Sequence, residues 1–366
     1  MKKILIIGTD IFNYKNSGDK NFWLELFDLI DYKNINLEIL SLSNFNGTSF
    51  YSQIKINHFC PVFLKTLKGD KIRSDFHKNY FYKSWAMLCL IPKLKNIIKK
   101  DSIDTIHIID NYGPFMSFLK LFFPGIKIIG TAVTYNPTSN LYNLFLKWSF
   151  SKFDQIISFS DSFEKVLRKL GFRNVETIHW GIIPSKKIHT KKYNLIKILW
   201  TGYLQQTHEK DFVYSINIAK KIIYDNPLIE FDFIFKPEHF NSIFLKYSQK
   251  GITIKQSSGM NFKSELRNYN FLLCPILNLN STLAPPLTWI ECLNVGIPVI
   301  TTPRKNIEEI IYHKFNGFII KDNFEELVKF LNSDKKILNK NCNRFIKTNY
   351  NLNQSALNYQ KLWEKN

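Results

Sequence analysis

Short apolar runs rich in Ile and Val recur along this chain between longer segments of helical period, and that alternation limits the possible folds more than any other feature. The runs are Lys3–Gly8, Asn36–Leu42, Thr105–Ile109, Lys127–Thr131, Gln155–Ser160 and Val175–His179. The series then restarts with Ile196–Thr201, Glu230–Phe235, Thr253–Lys255, Phe271–Pro275 and Pro298–Thr302. Two series of βαβ units predict an α/β chain of two Rossmann-like domains, each an open parallel sheet covered by helices on both faces. A length of 366 residues agrees, since single cores stop growing at about 250–300 residues. Ligands of such sheets sit beyond the carboxyl ends of the strands, so two facing domains are expected to create a cleft.

Between the two series, Gly181–Lys192 is polar and basic and carries Pro184, the composition of a linker. The expected domains are 1–185 and 186–350, with 351–366 a C-terminal helix returning to the first. From Asp322 onward only helices are expected, over Phe324–Leu331, Leu338–Tyr350 and Ser355–Trp363. Met1-Lys2-Lys3 precedes an apolar run too short for a signal peptide, and no stretch of about 18 apolar residues occurs, so neither a leader nor a membrane-spanning helix is expected. Cys60, Cys89, Cys274, Cys292 and Cys342 are scattered and form no Cys-x-x-Cys pair, which speaks against a disulfide framework or structural zinc and for a reducing cytoplasm.

Lys and Arg number 50 against 30 Asp and Glu, a net charge of +20. Such an excess favours anionic partners: nucleotide diphosphates, anionic lipid headgroups or nucleic acid. Heavy use of Lys, Asn, Ile and Phe, of the kind AT-rich codons produce, accounts for the same excess without any ligand, and both causes stay open. Val62–Lys100 concentrates ten basic residues against two acidic ones, interleaved with Phe63, Phe76, Tyr80, Phe81, Tyr82 and Trp85. That mixture suits peripheral contact with an anionic membrane. Equally, it suits helices whose aromatics face a core. No nucleic-acid module is visible, so nucleic acid is not an expected partner.

The most informative stretch runs from Ser281 to Thr302: a loop, Pro285-Pro286 at a helix start, a helix stopped by Gly296, and a strand opened by Pro298. Unpaired N–H groups at such a start attract a phosphate. Glu291, about a turn and a half inside, is placed to accept hydrogen bonds from a ribose diol. Plain structural roles compete for each residue. Gly-x-Pro also serves as punctuation between helix and strand. Glu291 also reads as a solvated carboxylate, His107 as a satisfied core histidine, and Gly18-Asp19 as a turn after the first strand.

Taken together, the stretch resembles the nucleotide-sugar site of retaining GT-B glycosyltransferases, glycosyltransferase group one (family four-like). Their pattern is a Glu, seven residues, a second Glu, then a small-residue helix ending in Gly-x-Pro-Val-Ile. Glu291 takes the second Glu position, and Gly296, Pro298, Val299 and Ile300 follow in register. Ile307–Ile311 followed by Asn316–Ile320 is similar to the family's acidic turn and Asn-Gly strand start. Ile198–Leu204 resembles the strand and turn that open the donor domain, while Ile103–Asp110, Ser158–Ser162 and Leu170–Val175 fall in the expected order in the first half. Three positions depart from the pattern. Leu283 replaces the first Glu, Tyr203 the Arg after the turn Gly, and Val133 the His that often follows the fifth strand.

The resemblance implies a hexosyltransferase-type enzyme. A UDP- or GDP-linked sugar would bind the second domain and a saccharide or lipid-linked acceptor the first, with retention of configuration and no required metal or other cofactor. Implied donor contacts are Gly202, Leu283, Ala284, Pro286, Thr288, Glu291 and Arg304; implied acceptor contacts are Gly18, Asp19 and Asp110. With the turn Arg absent, a basic side chain has to hold the diphosphate, because a charge-assisted hydrogen bond is worth about 1.5–3 kcal/mol against about 0.3–1 from a helix N-terminus. Lys210 ranks first and Lys236 second as catalytic residues, then Arg304 or Lys305. The expected setting is cell-surface polysaccharide or lipopolysaccharide assembly, in the cytoplasm at the inner face of its membrane. Two other readings stay open: a catalytically idle nucleotide-sugar-binding paralogue, for which Leu283 speaks, and a nucleotide-sugar epimerase of the same architecture.

Overall fold

A computed structural model of the chain describes residues 1–8, 18–41, 54–58, 80–109, 114–132, 140–186, 195–202, 209–235, 240–257, 265–277, 284–304, 307–321 and 324–365. Two compact units are present: Met1–Gly181 with Thr282–Ala284 and Leu352–Asn366, and Ile182–Ser281 with Pro285–Asn351.

In the first unit, β1 (Lys2–Gly8), β2 (Ile35–Ser41), β3 (Lys55–His58), β4 (Thr105–Ile109), β5 (Lys127–Ala132), β6 (Gln155–Ser158) and β7 (Val175–Thr177) form a parallel sheet in the order β3-β2-β1-β4-β5-β6-β7. Its helices are α1 (Gly18–Phe27), α2 (Tyr80–Asp101), α3 (Leu119–Phe122), α4 (Asn140–Phe150) and α5 (Asp161–Lys169). Ile4, Leu5, Ile6 and Ile7 are all fully buried, because alternate side chains point to opposite faces and helices cover both. Leu5, Ile7, Ile106 and Ile108 share one core with Leu90 and Leu94 of α2, Leu119 of α3 and Leu146 and Phe150 of α4. The edge strand β3 escapes the sequence pattern. It holds only Ile56 as an apolar residue, and its Lys55 is paired with Glu38 of β2 at 3.1 Å and Asp101 at 2.6 Å. β6 stops two residues short of its expected end because Ser160 caps α5 instead, its hydroxyl accepting from Phe163 N–H at 3.1 Å.

In the second unit, β8 (Ile196–Gly202), β9 (Ile229–Phe235), β10 (Ile252–Gln256), β11 (Phe271–Leu273), β12 (Val299–Thr301) and β13 (Gly317–Ile319) form a second parallel sheet, ordered β10-β9-β8-β11-β12-β13. With it pack α6 (Glu209–Asp225), α7 (Leu287–Asn294), α8 (Phe324–Leu331) and α9 (Lys335–Asn349). Period-two burial is plain in β9, where Phe231, Phe233 and Phe235 enter a core shared with Trp200 and Phe212, while Glu230 and Asp232 face the other way. The expected stop of α7 at Gly296 is present as a Schellman motif: Gly296 has φ +89°, its N–H reaches the Leu293 carbonyl at 3.0 Å, and the Ile297 N–H reaches Cys292 at 2.8 Å. Asn316 and Gly317 also have structural duties. The Asn316 amide closes the turn onto Ile310 O and Tyr312 N–H, both at 2.8 Å, and a β-carbon at Gly317 would run into the Val299 carbonyl.

The last helix, α10 (Leu352–Glu364), belongs to the first unit. Its Tyr359 and Trp363 are fully buried and join an aromatic cluster with Phe22, Trp23, Phe159 and Trp180. Trp363 Nε1–H donates to His107 Nδ1 at 3.1 Å, and His107 Nε2 lies 2.7 Å from Thr131 Oγ1. An indole N–H only donates, so Nδ1 carries no proton and Nε2 donates to the threonine. Burial holds the ring far below its ordinary pKa, at about 3. His107 is a satisfied core histidine. Among the described residues, no helix is long and apolar enough to cross a membrane.

Candidate functional site

In the second sheet β9 and β11 lie on opposite sides of β8, so the order reverses there and the chain leaves the carboxyl ends of β8 and β11 in opposite directions. Crevices form at such a point. Asp211, in the first turn of α6, is only 6% exposed although it is a carboxylate, because it falls in phase with the buried Ser215, Ala219 and Ile222. Its Oδ1 accepts from the Leu277 backbone N–H at 2.8 Å, which ties the start of α6 to the loop after β11. The same loop is held from the other side by Thr302, just beyond β12, whose hydroxyl accepts from Ile276 N–H at 3.0 Å and donates to Ile276 O at 2.9 Å.

Arg304 follows two residues later and is half-buried beside this loop. Burial lowers its guanidinium pKa from the ordinary value, and the adjacent Cys274 and Asp211 work against that. Cys274 stands immediately after β11. Burial pushes its thiol up to about 11, Trp289 and Arg304 pull it down, and Asp211 pushes it up. A partly buried cation beside a carboxylate and a thiol at the carboxyl ends of β11 and β12 has limited solvent competition, which strengthens its pairing with an incoming anion. At the neighbouring α7, Pro286 is the N-cap and contributes no side-chain cap, and no acidic residue lies in the first turn. Thr288 and Glu291 are half-buried on this helix, in front of the fully buried Ile290, Cys292 and Leu293.

Three comparisons bear on this arrangement. Residues 64–186 match Glycosyltransferase Family 4. An uncharacterized glycosyltransferase of Methanocaldococcus jannaschii is 28% identical over 83 residues, and the match spans about a fifth of each chain (21%). Among solved structures, sucrose-phosphate synthase from Thermosynechococcus elongatus superposes with a TM-score of 0.75 at 12% identity, covering 100% of this chain and 99% of the other. The lipopolysaccharide outer core galactosyltransferase WaaB gives 0.67 at 12% identity over 98% and 99%. Anabaena HepE in complex with UDP gives 0.65 at 10% identity over 99% of both chains.

The fold is GT-B. Within it, the residues singled out from the sequence fall in different places. Pro286, Thr288 and Glu291 share α7, Ala284 is buried just before it, and Arg304 adjoins Asp211 and Cys274 at the switch point. Lys210 is exposed on the first turn of α6, its neighbour Asp211 having taken the buried position. Gly202 ends β8, and Gly18 and Asp19 open α1. Lys236, Leu283, Asp110, Tyr203, Val133 and Lys305 lie outside the described residues. Sequence reasoning missed Asp211, Cys274 and Thr302. The signal for Asp211 was a carboxylate standing on the apolar stripe of an amphipathic helix; nothing local distinguished the other two.

Proposed function

We propose that this chain is a glycosyltransferase that moves a sugar from a nucleotide diphosphate donor, held by the second unit, to a saccharide or lipid-linked acceptor held by the first. The observation that carries the reading is the half-buried Arg304, steadied by Asp211 at the switch point of the second sheet, close to an uncapped helix that bears Glu291. In this reading Arg304 and the α7 backbone N–H groups take the diphosphate and Glu291 the ribose hydroxyls. As the glycosidic bond to phosphate breaks, negative charge grows on the leaving diphosphate, and fixed positive groups stabilise it without reorganising. Lys210, exposed on the first turn of α6, supplies further positive charge, and Lys236 stays the second choice for that role on sequence alone.

The likeness to a UDP-bound GT-B structure and to a galactosyltransferase of the lipopolysaccharide core supports a nucleotide-diphosphate sugar donor and a role in cell-surface polysaccharide or lipopolysaccharide assembly; a place at the inner face of the cytoplasmic membrane is part of the same proposal. Retention and independence from metal follow from the family resemblance alone. Isothermal titration of UDP and GDP into the parent protein and Glu291→Ala tests the site: at least about tenfold weaker nucleotide binding, with an unchanged melting temperature, is expected from the loss of a charged acceptor. Unchanged affinity removes the ribose assignment. Tight binding by the parent without turnover of any donor and acceptor pair would favour the idle paralogue.

A further inference from the structure

Three helical pieces cover one face of the first sheet. α2, the 3₁₀ turn Pro114–Phe118 running into α3, and α4 meet in a single core through Leu90 and Leu94, Met116 and Leu119, and Leu146 and Phe150. They also touch on the outside: the Phe118 and Trp148 rings meet edge to face at 6.3 Å, and Lys95 Nζ lies 5.9 Å from the centre of the Phe122 ring. The residues turned away from the sheet are not all polar. Leu121 is 68% exposed, Leu144 61%, Phe122 45% and Trp148 44%. Leu144 and Trp148 stand four apart on α4 with exposed Lys147 beside them, which makes one stripe.

Charge on these pieces has one sign. Lys95, Lys99, Lys100, Lys147 and Lys152 are exposed, and no Asp or Glu occurs in 80–100 or 111–153. Among the described residues, the carboxylates that border these stretches are already paired, Asp101 with Lys55 and Asp154 with Lys120. By contrast, the exposed Tyr224 and Leu228 of the second unit have Asp225 and Glu230 close by in sequence. Scattered surface apolar residues need no explanation, but a cluster that includes Trp and Phe within a carboxylate-free basic field does.

We propose that this face rests on an anionic bilayer, with Leu121, Phe122, Leu144 and Trp148 entering the headgroup region and the surrounding lysines meeting lipid phosphates. Trp and Phe gain from an interface that is apolar on one side and wet on the other, and each lysine close to an anionic surface is worth about fivefold in partitioning. A second copy of the chain fits less well, because a symmetric pairing through this face would set lysine against lysine. The face overlaps the basic, aromatic segment 62–100 only in α2; α3 and α4 supply the exposed apolar side chains. The assignment is independent of the donor site and survives its failure.

Sedimentation of the full chain with vesicles tests it. Binding is expected to phosphatidylcholine mixed with phosphatidylglycerol, to be much weaker to phosphatidylcholine alone, and to weaken with salt. The double variant Lys147→Glu/Lys152→Glu should lose about tenfold or more with an unchanged melting curve, and Leu144→Ser/Trp148→Ser should lose most of the remainder beyond what the lost Phe118–Trp148 contact costs in melting temperature, with the well-exposed Leu144→Ser alone as the folding control. Brominated lipid should quench a part of the tryptophan emission that is missing in Trp148→Phe, a variant that still binds. The proposal is overturned if the parent ignores anionic vesicles, if the variants bind as the parent does, or if light scattering shows a dimer that these substitutions dissolve.

Discussion

Each unit carries a buried polar cluster at its sheet, and the two clusters differ in kind. In the first, His107, Thr131 and Trp363 are fully buried or nearly so, and both ring nitrogens of the histidine are satisfied from within the fold. In the second, Asp211 is engaged through Leu277, while Arg304 is only half-buried at the carboxyl end of the strands. A closed cluster contributes to one specific packing and has no donor to offer a ligand. An open one keeps charge poised where a ligand arrives. That difference directs the search for chemistry to the second unit, even though a histidine is the more usual catalyst.

The comparison breaks most visibly through His107→Ala. Truncation leaves a cavity and strands the Trp363 N–H and the Thr131 hydroxyl in an apolar core, so denaturant unfolding should show a loss of about 3 kcal/mol or more; a loss under about 1 kcal/mol would mean that the cluster is not closed. Arg304→Ala should do the reverse, weakening UDP binding by about tenfold or more while the melting temperature hardly moves, since a guanidinium contact to diphosphate is lost and no core packing is. A large drop in melting temperature with unchanged affinity would place Arg304 with the structural residues. Asp211→Asn separates its two duties. The amide oxygen can still accept from Leu277, so folding should hold, while the loss of charge beside Arg304 should change nucleotide affinity by a few-fold; Asp211→Ala, which removes both, should also lower the melting temperature.

The most gradual expected effect is on pH, spread over several pH units. The unfolded histidine takes up a proton near pH 6.5 and the folded one only at about 3. Between these values the unfolded chain binds the extra proton, so stability falls as pH falls, by at most about 1.4 kcal/mol per pH unit, and is unaffected by this group above about pH 7. His107→Gln should flatten that part of the pH profile. An identical slope in parent and variant would mean that the ring is reached by water in the folded state.

Much of the fold was legible because parallel strands buried on both faces announce themselves as apolar runs; Ile4-Leu5-Ile6-Ile7 is the plainest. β3 was not legible, since an edge strand carrying one isoleucine owes its place to hydrogen bonds with β2 and to the Lys55 ion pairs rather than to its own pattern. In the candidate site, α7 was readable from Pro286 through Gly296 because capping chemistry is local. Arg304 was named from charge alone, and its surroundings came from three elements distant in sequence. Cys274 and Thr302 acquire their surroundings only when β11, β12 and α6 come together, so no window of sequence contains the information; Asp211 left one local sign, its place on the apolar stripe of α6, but not its partners. The same holds for the exposed face of α3 and α4: hydrophobicity told where the apolar residues were, and burial alone told which of them faced out.

The return of α10 to the first unit has a consequence for biosynthesis. The entire second unit is translated between β7 and the helix that supplies Tyr359 and Trp363. Until α10 has emerged from the ribosome, the first sheet holds an incomplete aromatic core and an imidazole lacking one partner, a state open to chaperones and proteases. A chain cut short by premature termination would be left in that state.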